Sequence, residues 1–302
     1  MMKSVNLQIE LIERTLNAIP NEGLVPSLIK GLQIARSNSP TQPTPVMYQP
    51  CLCFIVQGQK TADFSGKSFP YSPGQYLVTS VSLPVMGQIT EASSEAPYLC
   101  LILDIEAAVI HDLMNLSGMT HTTKKQSKSA FYIGEVHPDL SDAFLRLLRC
   151  LDRDQDRLVL APMIKREILY QLLHSRCGDV LGQLGLLDSQ TSRISRVLHR
   201  LQTDFAAKLS MDDLAKSAGM SASAFFHHFK EVTGISPLQY QKTLRLQKAR
   251  ELLIAGQSDA TTAGLEVGYE SVSQFNREYS RLFGAPPLRD LKRARMQVSQ
   301  ST

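Results

Sequence analysis

Two sets of four side chains occupy matching places in a repeated stretch of this sequence, and their chemistry is that of groups that meet the edges of bases. In one set, Arg277 can hydrogen-bond a guanine edge bidentately, Asn276 can pair with adenine, and Val272 can touch a thymine methyl, with Ser273 beside them. The other set, at a register of 50 residues, is Ala222, Ser223, Phe226 and His227. It offers fewer directional bonds and suits shape, methyl contact and a single hydrogen bond. For each of the eight, packing or a phosphate contact is the competing reading, and the residues alone leave both open.

The elements that must position these groups are legible from the repeat. The first copy, LAKSAGMSASAFFHHFKEVTGISPL, covers residues 214–238, and the second, AGLEVGYESVSQFNREYSRLFGAPPL, covers 263–288. Ser221 matches Ser271, Phe225 matches Phe275, Phe229 matches Tyr279 and Gly234 matches Gly284. Before the turn the register is 49, Gly219 with Gly268, because Glu270 is an extra residue. Ser210 with Asp213 starts a short helix that Gly219 ends. Ser221 caps a second helix by accepting from its free amides. Phe225, Phe229 and Val232 recur at helical spacing and face a core, which leaves the readout candidates on another face near the amino end. Two capped helices around a glycine turn form a helix-turn-helix, whose second helix reads the major groove with its first residues. His228 is expected to face solvent or backbone.

Between the copies, Ser236-Pro237 opens a helix over PLQYQKTLRLQKARELLIA, with proline in its first turn. Such a rod is about 28 Å long, close to the ~34 Å between successive major-groove faces. Leu238, Leu244, Leu246, Ala249 and Leu253 are its expected apolar side. Lys242, Arg245, Lys248 and Arg250 are available for phosphate or simply solvated.

This stretch resembles the AraC/XylS family of bacterial transcription regulators, through the two helix-turn-helices, the linker helix, VGYES-x-SQF-x-R-x-Y and the two G-x-x-P endings. The resemblance covers about residues 200 to 292 and implies sequence-specific binding to a double-stranded DNA operator, contact with RNA polymerase, and more often activation than repression. The sequence departs from the family at Ala263 and Gly264, where a larger apolar residue and alanine are usual. Gly264 lowers the intrinsic stability of that helix by about 1 kcal/mol relative to alanine, so a short or frayed helix is expected there.

Composition fits two functions in one chain of 302 residues. Residues 1–190 carry 16 Lys+Arg against 18 Asp+Glu, a balance of −2, whereas 191–302 carry 16 against 10, a balance of +6. A basic last third matches a phosphate-binding module. The first 20 residues are amphipathic, with no apolar run of signal-peptide or membrane-span length. The five cysteines show no zinc spacing. A cytoplasmic protein with reduced thiols, no membrane association, no cofactor and no metal is expected.

The first part is β-rich up to about Asp104 and then helical, through IEAAVIHDLMNL, PDLSDAFLRLLRCLDR and APMIKREILYQLLHSR. Short strands with regular turns point to a sandwich or barrel. YQPCLCFIVQGQK, YSPGQYLVTSVSLPV and REILYQLL are similar to the amino-terminal domain of an AraC-family subgroup, which implies a cupin-like barrel followed by helices that pack or dimerise. The expected fold is therefore α+β: a cupin-like barrel with helices at 1–180 for effector sensing and dimerisation, a linker at 181–195, and an all-α tandem helix-turn-helix domain at 196–296.

No histidine lies between Thr44 and Asp104, so a nitrogen-ligated catalytic metal lacks its ligands. A pocket for a small organic effector remains, with Tyr48, Cys51, Cys53, Phe64 and Tyr76 as candidate lining or, equally, ordinary core. Cys51 and Cys53 share a strand face and form a candidate redox or metal pair. Cys177 follows Arg176 at an expected helix end and is a candidate sensor thiol, the other reading being an inert helix-end cysteine. The spacing of Phe144, Leu147, Leu148 and Leu151, within residues 141–176, suits a homodimer interface or packing on the barrel. A cupin-type enzyme needs metal ligands or an acid/base constellation, and a DNA-repair methyltransferase needs an acceptor cysteine cluster with zinc thiolates. The sequence offers neither, and no enzyme is expected.

Overall fold

The computed structural model describes residues 2–119, 129–186 and 189–299. The chain begins with α1 (Met2–Ala18) and runs through β1 (Gly23–Pro26), β2 (Leu32–Ser37), β3 (Thr44–Tyr48), β4 (Cys51–Gln57), β5 (Gln59–Phe64), β6 (Lys67–Tyr71), β7 (Gln75–Thr79), β8 (Leu83–Glu91) and β9 (Tyr98–Asp104). Then come α2 (Ala107–Leu116), β10 (Phe131–Glu135), α3 (Pro138–Arg149), α4 (Asp154–Leu173), α5 (Gly178–Gly185) and α6 (Gln190–Thr203). The last third holds α7 (Met211–Ser217), α8 (Ala222–Thr233), α9 (Pro237–Ile254), α10 (Ala260–Glu266), α11 (Val272–Phe283) and α12 (Pro287–Ser299).

The strands make two antiparallel sheets, ordered β1-β2-β9-β4-β7-β10 and β3-β8-β5-β6. The cupin-like expectation takes the form of two facing sheets whose hydrogen bonding does not close into one cylinder. Strand β4 lies inside the larger sheet and is buried on both faces. Leu52, Phe54 and Val56 meet a core built with Leu11 of α1, Phe144 of α3 and Ile168 of α4, the Phe54 and Phe144 rings stacking at 4.4 Å. Cys51, Cys53 and Ile55 face the smaller sheet, together with Ala62, Phe64, Tyr71, Leu83 and Val85.

Phe144, Leu147 and Leu148 are buried in the first of these cores and Leu151 is packed against it, so their spacing serves packing on the sheet. Helix α4 starts at Asp154, ahead of the expected APMIKREILYQLLHSR segment, and holds Pro162 inside it. Asp154 and Asp156 in its first turn complement the helix dipole. The expected linker 181–195 contains the end of α5 and the start of α6; residues 187–188 lie outside the described residues. Helix α6 sends Ile194, Val197, Leu198 and Leu201 into the core between the sheets, where they meet Phe225, Phe229 and Tyr240 of the following helices. The last helices have a separate core of Leu246, Ala249, Leu253, Ala263, Val267, Phe275 and Tyr279.

Candidate nucleic-acid interface

Both helix-turn-helices form, and the same devices build them. Ser210 and Ser221 accept from the amides of Asp213 and Ala224, at 3.4 and 3.3 Å, while Asp259 and Ser271 accept from those of Thr262 and Gln274, at 2.8 and 3.4 Å. Gly219 and Gly268 turn the chain with φ of +64° and +88°, backbone that glycine adopts without steric cost. Phe225, Phe229, Phe275 and Tyr279 are fully buried, which fixes the rotation of α8 and α11.

That rotation decides what faces outward. Ala222, Ser223, Phe226 and His227 are all exposed on the first turns of α8. On α11, Ser273 and Arg277 are exposed, and Val272 and Asn276 are half-buried. Arg277 has no carboxylate partner among the described residues, which leaves its five donors for a ligand. His228, expected toward solvent or backbone, is instead held by Glu231 at 3.2 Å and by Gln190 at 3.2 Å, tying α8 to α6. His227, His228 and Glu231 bring ligand atoms within 4.8 Å of one another, the one such cluster among the described residues able to hold a metal ion.

The helix expected to be short or frayed, α10, is short but packed. It has seven residues, the same as α7, and a Cβ on Gly264 would stand 3.0 Å from the Phe275 ring. The glycine lets α10 close onto that ring; contact replaces propensity. Helix α9 departs from the expected faces in two ways. Leu238 is exposed, and Tyr240 and Gln241 point inward with Leu246, Ala249 and Leu253.

The basic residues of α9 are engaged within the protein. Arg245 donates to the carbonyls of Phe205 (2.8 Å), Gly268 (3.0 Å), Ala206 (3.1 Å) and Ala207 (3.1 Å), clamping the turn of the second helix-turn-helix to the chain before α7. Burial lowers its pKa from the usual arginine value. Lys242 pairs with Glu278 at 2.9 Å, and Lys248 with Glu251 at 2.9 Å. Burial opposes the charge on Glu278, but Lys242, Gln274 and the Tyr269 hydroxyl hold its carboxyl below the usual range. Arg250 donates to Asp290 at 2.7 Å, and the Tyr279 hydroxyl donates to the same carboxylate at 2.8 Å. Sequence reasoning missed Glu278 and Asp290; both lie on helix faces where only the fold supplies a partner.

The effector candidates divide between the two cores. Tyr48, Cys51, Cys53 and Phe64 lie together between the sheets, but Tyr76 faces the other way, in the core beneath the helices. Cys51 and Cys53 bring their sulfurs to 3.8 Å. The Tyr76 hydroxyl donates to Cys177 Sγ at 3.5 Å, and Cys177, the candidate sensor thiol, is fully buried at the start of α5. Burial pushes its thiol pKa up, the opposite of what a reactive thiolate needs. Tyr48 and Tyr71 lie buried in the core between the sheets, and that burial pushes both phenols above their usual pKa.

Among the described residues no helix is long and apolar enough to cross a membrane. The AraC-type transcriptional regulator N-terminus family matches residues 28–180, and the helix-turn-helix domain family matches 214–293. The chain is 24% identical over 240 residues to the thermoregulatory protein LcrF of Yersinia pestis, covering 78% of this chain and 86% of that protein. It is 27% identical over 152 residues to the transcriptional activator RhaS of Escherichia coli, covering 50% of this chain and about half, 53%, of RhaS. Among solved structures, ToxT from Vibrio cholerae superposes with a TM-score of 0.59 at 10% identity, covering 87% of this chain and 98% of ToxT.

Proposed function

The chain belongs to the AraC-type transcriptional regulators, and on that premise we propose how it reads and responds. The two heads occupy successive major grooves of an operator, held apart by α9, an 18-residue rod about 27 Å long. Base readout falls to Ala222, Ser223, Phe226 and His227 in one groove and to Val272, Ser273, Asn276 and Arg277 in the other. The single observation that carries this reading is that α8 and α11 bury Phe225, Phe229, Phe275 and Tyr279 while six of the eight candidates are exposed near the amino ends, Val272 and Asn276 being half-buried. The paired basic residues of α9 act as struts, so phosphate contacts come from elsewhere.

The amino-terminal part senses a small organic molecule between its sheets and alters operator binding or contact with RNA polymerase, with activation as the outcome. RhaS is named as an activator, in keeping with that direction. A homodimer forms through α4, whose Leu158, Val159, Met163 and Tyr170 are exposed although apolar or aromatic. We assign the sensing and dimerisation part to residues 1–180 and the reading part to 196–296.

Arg277→Ala tests the readout. It weakens binding to the cognate site by about 1–3 kcal/mol and relaxes preference at one base pair, measured by binding to a library of operator variants. A uniform loss across all sequences marks Arg277 as a phosphate contact and removes it from the reading set.

A further inference from the structure

We propose that His227, His228 and Glu231 on the first reading helix form a binding site for a divalent transition-metal ion of the zinc class. On α8, Glu231 stands four residues after His227 and three after His228, so the three side chains meet on one stretch of helix surface. Their ligand atoms lie within 4.8 Å of one another. Each carboxylate oxygen faces a different imidazole: Oε1 is 3.4 Å from His227 Nε2, and Oε2 is 3.2 Å from His228 Nδ1. Bonds of ~2.0–2.1 Å to a tetrahedral ion put neighbouring ligand atoms about 3.3 Å apart, so both separations match a shared ion.

Gln190 supplies the second, independent observation. A ligating histidine gives its other ring nitrogen to an outer partner, which sets the tautomer and the ring orientation. His228 has that partner in Gln190 of α6, whose side-chain amide lies 3.2 Å from Nε2. With the amide oxygen turned to accept from Nε2–H, Nδ1 carries the lone pair that a metal needs. A carboxylate offers about four lone-pair sites, so Glu231 ligates without giving up its other contacts. His228 and Glu231 are half-buried, which holds their orientation, and the exposed His227 leaves the fourth position of the ion open to water. Two imidazoles and a carboxylate suit Zn²⁺, Ni²⁺ and Cu²⁺, whereas Mg²⁺ and Ca²⁺ take oxygen donors.

The position of the site ties the ion to DNA reading. His227 is among the base-readout candidates of α8, and an ion on its Nε2 takes that nitrogen away from a base edge. Metal loading therefore alters base preference in the groove read by α8 and leaves the groove read by α11 as it was. That consequence rests on the readout reading above, whereas binding of the ion does not.

The test titrates the full-length protein, kept reduced, with Zn²⁺, Ni²⁺ and Mg²⁺ by calorimetry and thermal shift. Zn²⁺ and Ni²⁺ bind saturably and Mg²⁺ does not. His227→Gln and His228→Gln each weaken Zn²⁺ by at least ~10-fold, and Gln190→Ala weakens it by about 10-fold through the lost support. Because its side chain is exposed, His227→Gln keeps the melting temperature of the metal-free chain, yet it loses the rise that Zn²⁺ gives the unaltered protein. The proposal is overturned if neither transition metal saturates, if Mg²⁺ binds as Zn²⁺ does, or if His227→Gln binds Zn²⁺ as the unaltered chain does, which would place the ion elsewhere, on the thiols for instance. If Zn²⁺ binds as described but base preference across a library of operator variants is the same with and without it, the metal site stands and His227 leaves the reading set.

Discussion

The two helix-turn-helices share caps, turns and aromatic anchors, but they differ in what surrounds them. The first lies in one continuous core with the sheets, through Phe225, Phe229 and Tyr240, whereas the second has a core of its own around Phe275 and Tyr279. Matching glycines mark the contrast. A Cβ on Gly234 would stand 3.3 Å from the Phe64 ring of β5, but one on Gly284 meets nothing within 4 Å. The reading faces differ in parallel: the head joined to the sheets offers Phe226 and His227, and the separate one offers Asn276 and Arg277. Duplication has thus given one module a place in the sensing core and left the other to carry the more directional side chains.

The largest effects should come from emptying the two cores. Phe225→Ala and Phe275→Ala each cost about 3–5 kcal/mol, since a buried ring leaves a cavity. Calorimetry and amide exchange separate them: Phe225→Ala loosens the sheets as well as the first head, and Phe275→Ala loosens the last helices alone. If both leave the sheets equally protected, the continuous core is not a cooperative unit. Next comes Gly264→Ala, which gains about 1 kcal/mol of helix propensity but forces Phe275 aside and costs about 1–3 kcal/mol by overpacking. Denaturant unfolding should show a net loss, and a net gain would mean that α10 has room to spare.

Tyr240→Phe breaks the hydrogen bond to Ser82 between the first head and the sheets. It should cost about 1 kcal/mol and leave the second head's exchange rates unchanged. The smallest effect lies far from both heads. Glu10 bonds Arg149 and Arg14, which hold its carboxyl at about 2. A depressed carboxyl adds stability fully above its ordinary value and loses it as the pH falls toward 2. Because the group is partly exposed, Glu10→Gln should cost under about 1 kcal/mol at neutral pH, with the difference from the unaltered chain shrinking in acid.

The caps, turns and buried aromatics of both heads were legible because each depends on a few adjacent residues. The faces of the sheets were not. Strand β4, CLCFIVQ, is apolar at both parities because both faces are buried, so its alternation carries no direction. Tyr76 and Cys53, both candidate pocket lining by sequence, lie on opposite sides of the sheet. Pro162 concealed the start of α4, since proline usually signals a first turn rather than an interior. Long-range partners were beyond reach as well: the carbonyls that hold Arg245 converge only in the folded chain.

The most direct measurement is a base-resolution footprint of the full-length protein on its operator, repeated with Arg277→Ala. Two protected patches are expected on one side of the duplex, about one helical turn apart, with the Arg277 substitution weakening only the patch read by α11. A single patch, or two that fade together on that substitution, would contradict a pair of separate heads gripping successive grooves.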